Sequence, residues 1–184
     1  MEKLNAMLME AYNFWFEELE PKDWWKKSDE LDEQIKQRFS EHLELAKDDM
    51  FKPVRSSADS RLTEIIILDQ FSRNIYRDKP ESFSADRRAL ELSREAVELG
   101  EDLNLEKQKR HFLYMPYMHS ESLRDHDEAV QLFTALGDEQ TLKFEHAHRD
   151  IIVRFGRYPH RNKILDREST AEEIEFLKGP GSSF

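Results

Sequence analysis

The stretch Ala147-His-Arg-Asp-Ile-Ile-Val-Arg-Phe-Gly-Arg-Tyr-Pro-His-Arg-Asn162 reads as the end of a helix followed by a corner that the helix cannot pass. Phe144, His148, Ile151, Ile152 and Phe155 recur at spacings of three and four, so they predict one apolar face with His148 turned inward. His146, Asp150 and Arg154 follow one another at i, i+4 on a solvated side, where a carboxylate can bridge its neighbours. Gly156 stands where a left-handed C-cap is expected, and Pro159 prevents the helix from continuing. The corner then projects Arg157, His160, Arg161 and Asn162 from a constrained backbone. Arginine forks held this way suit carboxylate or phosphate, and histidine titrates near neutral pH. The same groups could instead satisfy helix C-terminal carbonyls and neighbouring acids.

Outward from the corner, the chain of 184 residues is long enough for one domain with a real core, and no linker of glycine, proline or serine divides it. Charged residues make up 36% and hydrophobic ones 38%, yet twelve phenylalanines, five tyrosines and three tryptophans supply large apolar area. Five glycines and six prolines are few for a turn-rich β protein, so the composition predicts an all-α fold. A net charge of −11 argues against a nucleic-acid binder, which neutralises phosphate with a basic face. With no cysteine, disulfides and thiol chemistry are excluded, which suits the cytoplasm. Met1 to Glu20 carries acids and no basic segment before an apolar run, so neither a signal peptide nor a membrane span is expected there.

Taken in order, a first helix is predicted from about Lys3 to Leu19, ending before Pro21. Trp24 and Trp25 follow in a short connection, where paired tryptophans close a core or form a stacking platform; we expect the core. Ser28 or Asp29 caps a second helix to about Asp49, with Ile35, Phe39, His42 or Leu43, and Ala46 inward. A third helix after Pro53 carries Glu64 to Arg77, in which the run Ile65 to Leu68 covers more than one face and marks a central element. Asp69 and Arg73 stand at i, i+4, with Gln70 and Asn74 as a parallel polar pair: an internal ion pair or a ligand-facing cluster. Ser84 or Asp86 caps a fourth helix to about Leu99, before Gly100. A fifth runs from about Leu105 to Met118, with Pro116 kinking or ending it, and places His119 on the face of Phe112 and Met115. A sixth ends at Gly137, the long seventh begins near Asp138, and the capping box Thr170-Ala-Glu-Glu173 opens a short last helix. The tail ends in Phe184, whose side chain and carboxylate could dock in a cationic pocket.

The motifs Leu68-Asp-Gln-Phe-Ser-Arg-Asn-Ile-Tyr-Arg77, Phe112-Leu-Tyr-Met-Pro-Tyr-Met-His-Ser-Glu121, Arg154-Phe-Gly-Arg-Tyr-Pro-His-Arg-Asn162 and the closing Gly-Ser-Ser-Phe stand in an order that resembles a bacterial family, domain of unknown function 924. The resemblance runs from Trp24 and Trp25 to the last residue, with Ser72 where such proteins often carry proline. It implies a TPR-like α/α superhelix of about seven to nine helices, and it implies no activity. No 34-residue repeat is visible in the sequence itself.

The first functional expectation is a binding module in which Asp69, Arg73, Asn74, His119, His148, Arg157, His160, Arg161 and Asn162 hold a small anion or an acidic peptide segment. The second is an enzyme of hydrolase or phosphate-handling type with His148, His119 or His160 as acid or base, metal-assisted or not. No P-loop, Rossmann glycine pattern, Gly-x-Ser-x-Gly elbow or His-Glu-x-x-His supports it, and no catalytic residue or cofactor follows from the sequence. His146 with His148, or His111 with His119 and Glu121, are conceivable metal ligands at unspecific spacings, and His146 and His148 lie about 200° apart on a helix. No metal site is assigned. A scaffold with an exposed apolar groove would bind protein instead.

Overall fold

Several helices open on a side chain that accepts backbone N–H groups with no partner within the helix. Ser28 accepts from Leu31, Ser57 from Ser60, Asp138 from Gln140 and Thr141, and Thr170 from Glu173. Thr170 and Glu173 complete the expected capping box. Gly137 and Gly156 close helices at φ +69° and +67°, where a side chain would be strained.

The computed structural model describes residues 1–183 and holds eight α-helices with no strand among them. These are α1 (Glu2–Asn13), α2 (Asp29–Lys47), α3 (Ala58–Ile66 and Ser72–Ile75, joined by the π-helical turn Ile67–Phe71), α4 (Asp86–Glu98), α5 (Lys107–Met118), α6 (Leu123–Leu136), α7 (Glu139–Phe155) and α8 (Ala171–Phe176). The docking expected of Phe184 lies outside the described residues. No helix is long and apolar enough to cross a membrane. Two compact units emerge: Met1–Arg77 with Glu81–Pro116, and Asp78–Pro80 with the chain from Tyr117 onward.

In the first unit, α3 is the centre: Leu62 and every residue from Ile65 to Asp69 are buried. The π-helical turn explains the run, because one extra residue per turn shifts the inward face and lets consecutive side chains share the core. A second such turn, Phe14–Glu18, prolongs α1 and turns both Phe14 and Trp15 inward. Phe39 and Phe71 meet at 4.7 Å, Phe14 and Phe39 at 4.9 Å, and Trp15 and Phe112 at 5.5 Å between ring centres.

The paired tryptophans divide. Trp24 donates its indole N–H to the Trp15 carbonyl at 3.0 Å and packs on Phe112, as a core residue does. Trp25 departs from the expected core role: it is 59% exposed, with Phe112 lying nearly parallel to its ring and His111 edge-on to it. The short helical turn Asp23–Trp25 points neighbouring side chains in different directions, so both rings cannot enter one core. At α4, neither Ser84 nor Asp86 is the cap; Ala85 holds that position without a side-chain bond. Pro116 is accommodated inside α5, which ends two residues later at Met118.

In the second unit, α6 and α7 fold back on each other across Gly137 and Asp138, bridged by His126 with Glu145 at 2.7 Å and Asp127 with Arg149 at 2.8 Å. Thr141, Glu145, His148, Ile151 and Ile152 form the buried face of α7. Phe144 is 51% exposed, which corrects the expected apolar stripe: a carboxylate one position further on takes the inward place because His126 meets it. Ile151, Ile152 and Tyr158 make a local apolar cluster, with Phe155 and Phe176 packed against it.

Candidate functional site

Pro159 begins a short helical turn, Pro159–Arg161, directly after Tyr158. That turn fixes the corner, and Tyr158, 1% exposed, becomes its hub. The rings of His160, His148 and His126 stand 5.5, 5.9 and 6.1 Å from the Tyr158 ring, and the Arg161 guanidinium lies 4.7 Å over it. Arg161 also donates to the His119 carbonyl at 2.9 Å, just beyond the end of α5. The Tyr158 hydroxyl donates to the Met118 carbonyl at 2.5 Å. Four of the seven histidines therefore belong to one neighbourhood.

Carboxylates brace the rim. Arg157 makes a two-pronged contact with Glu173 at 2.7 and 2.8 Å and also reaches the Glu168 carbonyl. Asn162, 1% exposed, donates to Ser169 and to the same Glu173, and its Oδ1 has no hydrogen-bond partner among the described residues. Arg167 grips Glu121 at 2.7 and 2.9 Å, while Glu121 also accepts the Tyr158 N–H at 2.8 Å. Arg157 above all, with the Thr170 N–H and Asn162, holds the Glu173 carboxyl down at about 2 against the effect of burial. Burial opposes ionisation of Glu121, yet Arg167 and the Tyr158 N–H bring its carboxyl below the usual range. The expectation that Arg157 and Arg161 could serve neighbouring acids and helix-end carbonyls thus describes bonds that these residues make.

The histidines differ from one another. His148, 7% exposed, bonds through Nδ1 to the Phe144 carbonyl at 2.7 Å. Burial pushes it down to about 3, with His119, His126 and His160 adding repulsion, so it is neutral at pH 7. His119 and His160 are half-buried. His119 was expected on the apolar face of Phe112 and Met115, both buried, and its partial exposure comes from lying past the last turn of α5. His126 and Glu145 are both fully buried, which leaves no path by which a substrate could reach that pair. Sequence reasoning missed His126, Glu145, Arg167 and the hub role of Tyr158, and considered Glu121 only as a metal ligand rather than as a brace. His126 and Glu145 sit 19 residues apart on facing helices, and the only sequence signal was an acid on the inward arc of α7.

Asp69, Arg73 and Asn74 lie on α3 in the first unit. Arg73 meets Asp69 at 3.1 Å and holds Asp86 with two bonds of 2.9 and 3.0 Å. Gln70 and Asn74 do not pair with each other: Gln70 donates to Asp69 at 2.5 Å, and Asn74 to Asp32 at 2.8 Å beside Arg77. Within each unit the expected residues are brought together, Asp69 with Arg73 in one and His119, His148, His160 and Arg161 about Tyr158 in the other. No group of three or more histidine, aspartate or glutamate side chains among the described residues could hold a metal ion, including His111, His119 and Glu121.

Helix pairs capped by short turns, with polar residues gathered where α7 gives way to the corner, define an all-helical protein without strand, cysteine or metal cluster among the described residues. The chain belongs to the bacterial family of unknown function DUF924, which matches residues 11–181. It is similar to the protein of unknown function ATU0120 from Agrobacterium tumefaciens, with 32% identity and a TM-score of 0.90 over 95% of this chain and 99% of that one. No curated protein matches it.

Proposed function

We propose that the protein is a cytoplasmic binding module of TPR-like superhelical build whose corner in the second unit holds a small carboxylate- or phosphate-bearing ligand or an acidic peptide segment. The supporting observation is the gathering of His119, His148, His160 and Arg161 about Tyr158. The back-to-back helix pair α6 and α7 supports the TPR-like part, and the net charge of −11 with no cysteine supports the compartment and a partner other than nucleic acid or membrane. Burial and the neighbouring imidazoles keep His148 neutral, and an anion beside that ring would reverse the preference, so binding draws protons in. Asp69, Arg73 and Asn74 take no part in this reading, because within their own unit Arg73 serves Asp69 and Asp86, and Asn74 serves Asp32.

Titration calorimetry with inorganic phosphate, citrate and a short poly-glutamate peptide at pH 6 and pH 8 tests it. Affinity is expected to fall about tenfold per pH unit for each proton taken up. His160→Gln should fold and lose most of that pH dependence. Absence of binding by all three anions at both values would sink the proposal.

A further inference from the structure

Glu145 and His126 present a buried acid and a buried imidazole whose hydrogen bonds fix the position of every proton but one. His126 Nε2 lies 2.8 Å from the Ser120 carbonyl and 3.2 Å from the Tyr158 hydroxyl. The carbonyl can only accept, and the hydroxyl has committed its hydrogen to the Met118 carbonyl. Nε2 must therefore carry a proton. On the other side of the ring, Nδ1 lies 2.7 Å from Glu145 Oε1, a separation that requires one proton between them. Glu145 Oε2 is buried and has no hydrogen-bond partner among the described residues. An ionised carboxylate would leave that oxygen bare in the core, whereas a neutral carboxylic acid needs only its hydroxyl satisfied, and Nδ1 does this.

We infer that Glu145 is held as a neutral acid donating to His126, and that this one proton is a pH-sensitive latch that keeps Tyr158 seated under the corner. The groups facing the pair are His146, His148 and Arg149 on α7 and Tyr158 in the corner; Asp125, next to His126 on α6, is engaged by Ser120 at 2.5 Å. Burial, the largest influence, raises the Glu145 carboxyl above its ordinary range, while His126, His146 and Arg149 pull it down. When the proton leaves to solvent in alkali, the Nδ1 lone pair faces a carboxylate oxygen at 2.7 Å. The ring then turns away and surrenders its bonds to Ser120 and Tyr158. An additional proton in acid leaves an imidazolium without a counter-ion in a fully buried site. The seat is stable between these limits.

Two measurements on the full chain decide it. Nitrogen NMR of labelled histidine at pH 7 should show His126 as a neutral ring with Nε2 protonated and Nδ1 bare; a ring protonated on both nitrogens overturns the inference, since it means an ion pair. Glu145→Gln reproduces the neutral acid, with an amide N–H in place of the hydroxyl. It should keep the melting temperature at pH 7 within about 5 °C and abolish the alkaline displacement of the Tyr158 ring signals seen in the wild type. A larger fall, failure to fold, or an unchanged alkaline displacement in Glu145→Gln overturns it.

Discussion

In the first unit Arg55 lies against Glu64 at 2.7 Å and Asp49 at 2.5 Å, with Arg55 5% and Glu64 0% exposed at the side chain. In the second unit the fully buried acid, Glu145, meets a histidine instead. Both bury a carboxyl group on a partner from another segment, but a guanidinium keeps its charge at every ordinary pH and an imidazole does not. Burial of a fixed ion pair makes a region indifferent to pH and intolerant of losing either partner. Burial of imidazoles makes a region tolerant of neutral replacements and responsive to protons. The ionic centre of the first unit, extended by Arg88 on Asp49, and the imidazole centre about Tyr158 divide along this line.

The largest effect expected from this contrast is at Glu64. Glu64→Ala leaves Arg55 buried with one carboxylate fewer and should cost about 3–5 kcal/mol, measured by urea unfolding followed by far-ultraviolet circular dichroism, with nearly the same loss at pH 5 and pH 8. A loss that varies strongly between the two would break the contrast. Next is His148, whose folded value of about 3 lies below its ordinary 6.5. Its contribution is fully present above pH 6.5 and declines as pH falls towards the folded value, because the unfolded chain takes up the proton first. Between pH 6.5 and 4.5 this amounts to about 2–3 kcal/mol. His148→Leu should flatten that slope in hydrogen exchange of α6 and α7, and an unaltered slope would place the sensitivity elsewhere. The smallest effect belongs to Arg154, which meets Glu172 at 2.8 Å with both side chains more than half exposed. Arg154→Ala should change stability by no more than about 0.5 kcal/mol, and a larger loss in a thermal melt would show that the rim depends on exposed pairs.

Helix limits were the most legible part of the sequence, because caps are local chemistry. Ser28, Asp138, Gly137, Gly156 and the Thr170 box act where their neighbours in sequence say they should. The two π-helical turns were not legible, since an extra residue in a turn leaves no mark except the inward run that it accommodates, Ile65 to Leu68. Phe144 and Glu145 show the limit of periodicity: hydrophobicity favours burying the phenylalanine, and only a partner on another helix reverses the choice. The candidate site was half legible for the same reason. Its arginines and histidines crowd one stretch and could be read there, while Glu121, Glu145 and Arg167, which brace them, come from distant positions chosen by packing.

Trp15, Trp24 and Trp25 account for all three indoles of the chain, and all three fall in the first unit. Indole emission thus reports directly on the first unit alone. Within that emission, Trp25 is open to collisional quenchers and Trp15, at 2% exposure, is shielded from them. A quencher titration separates a surface signal from a core signal without any substitution. If emission and backbone dichroism give different denaturation midpoints, the two units unfold as separate cooperative bodies, and coincident midpoints make them one.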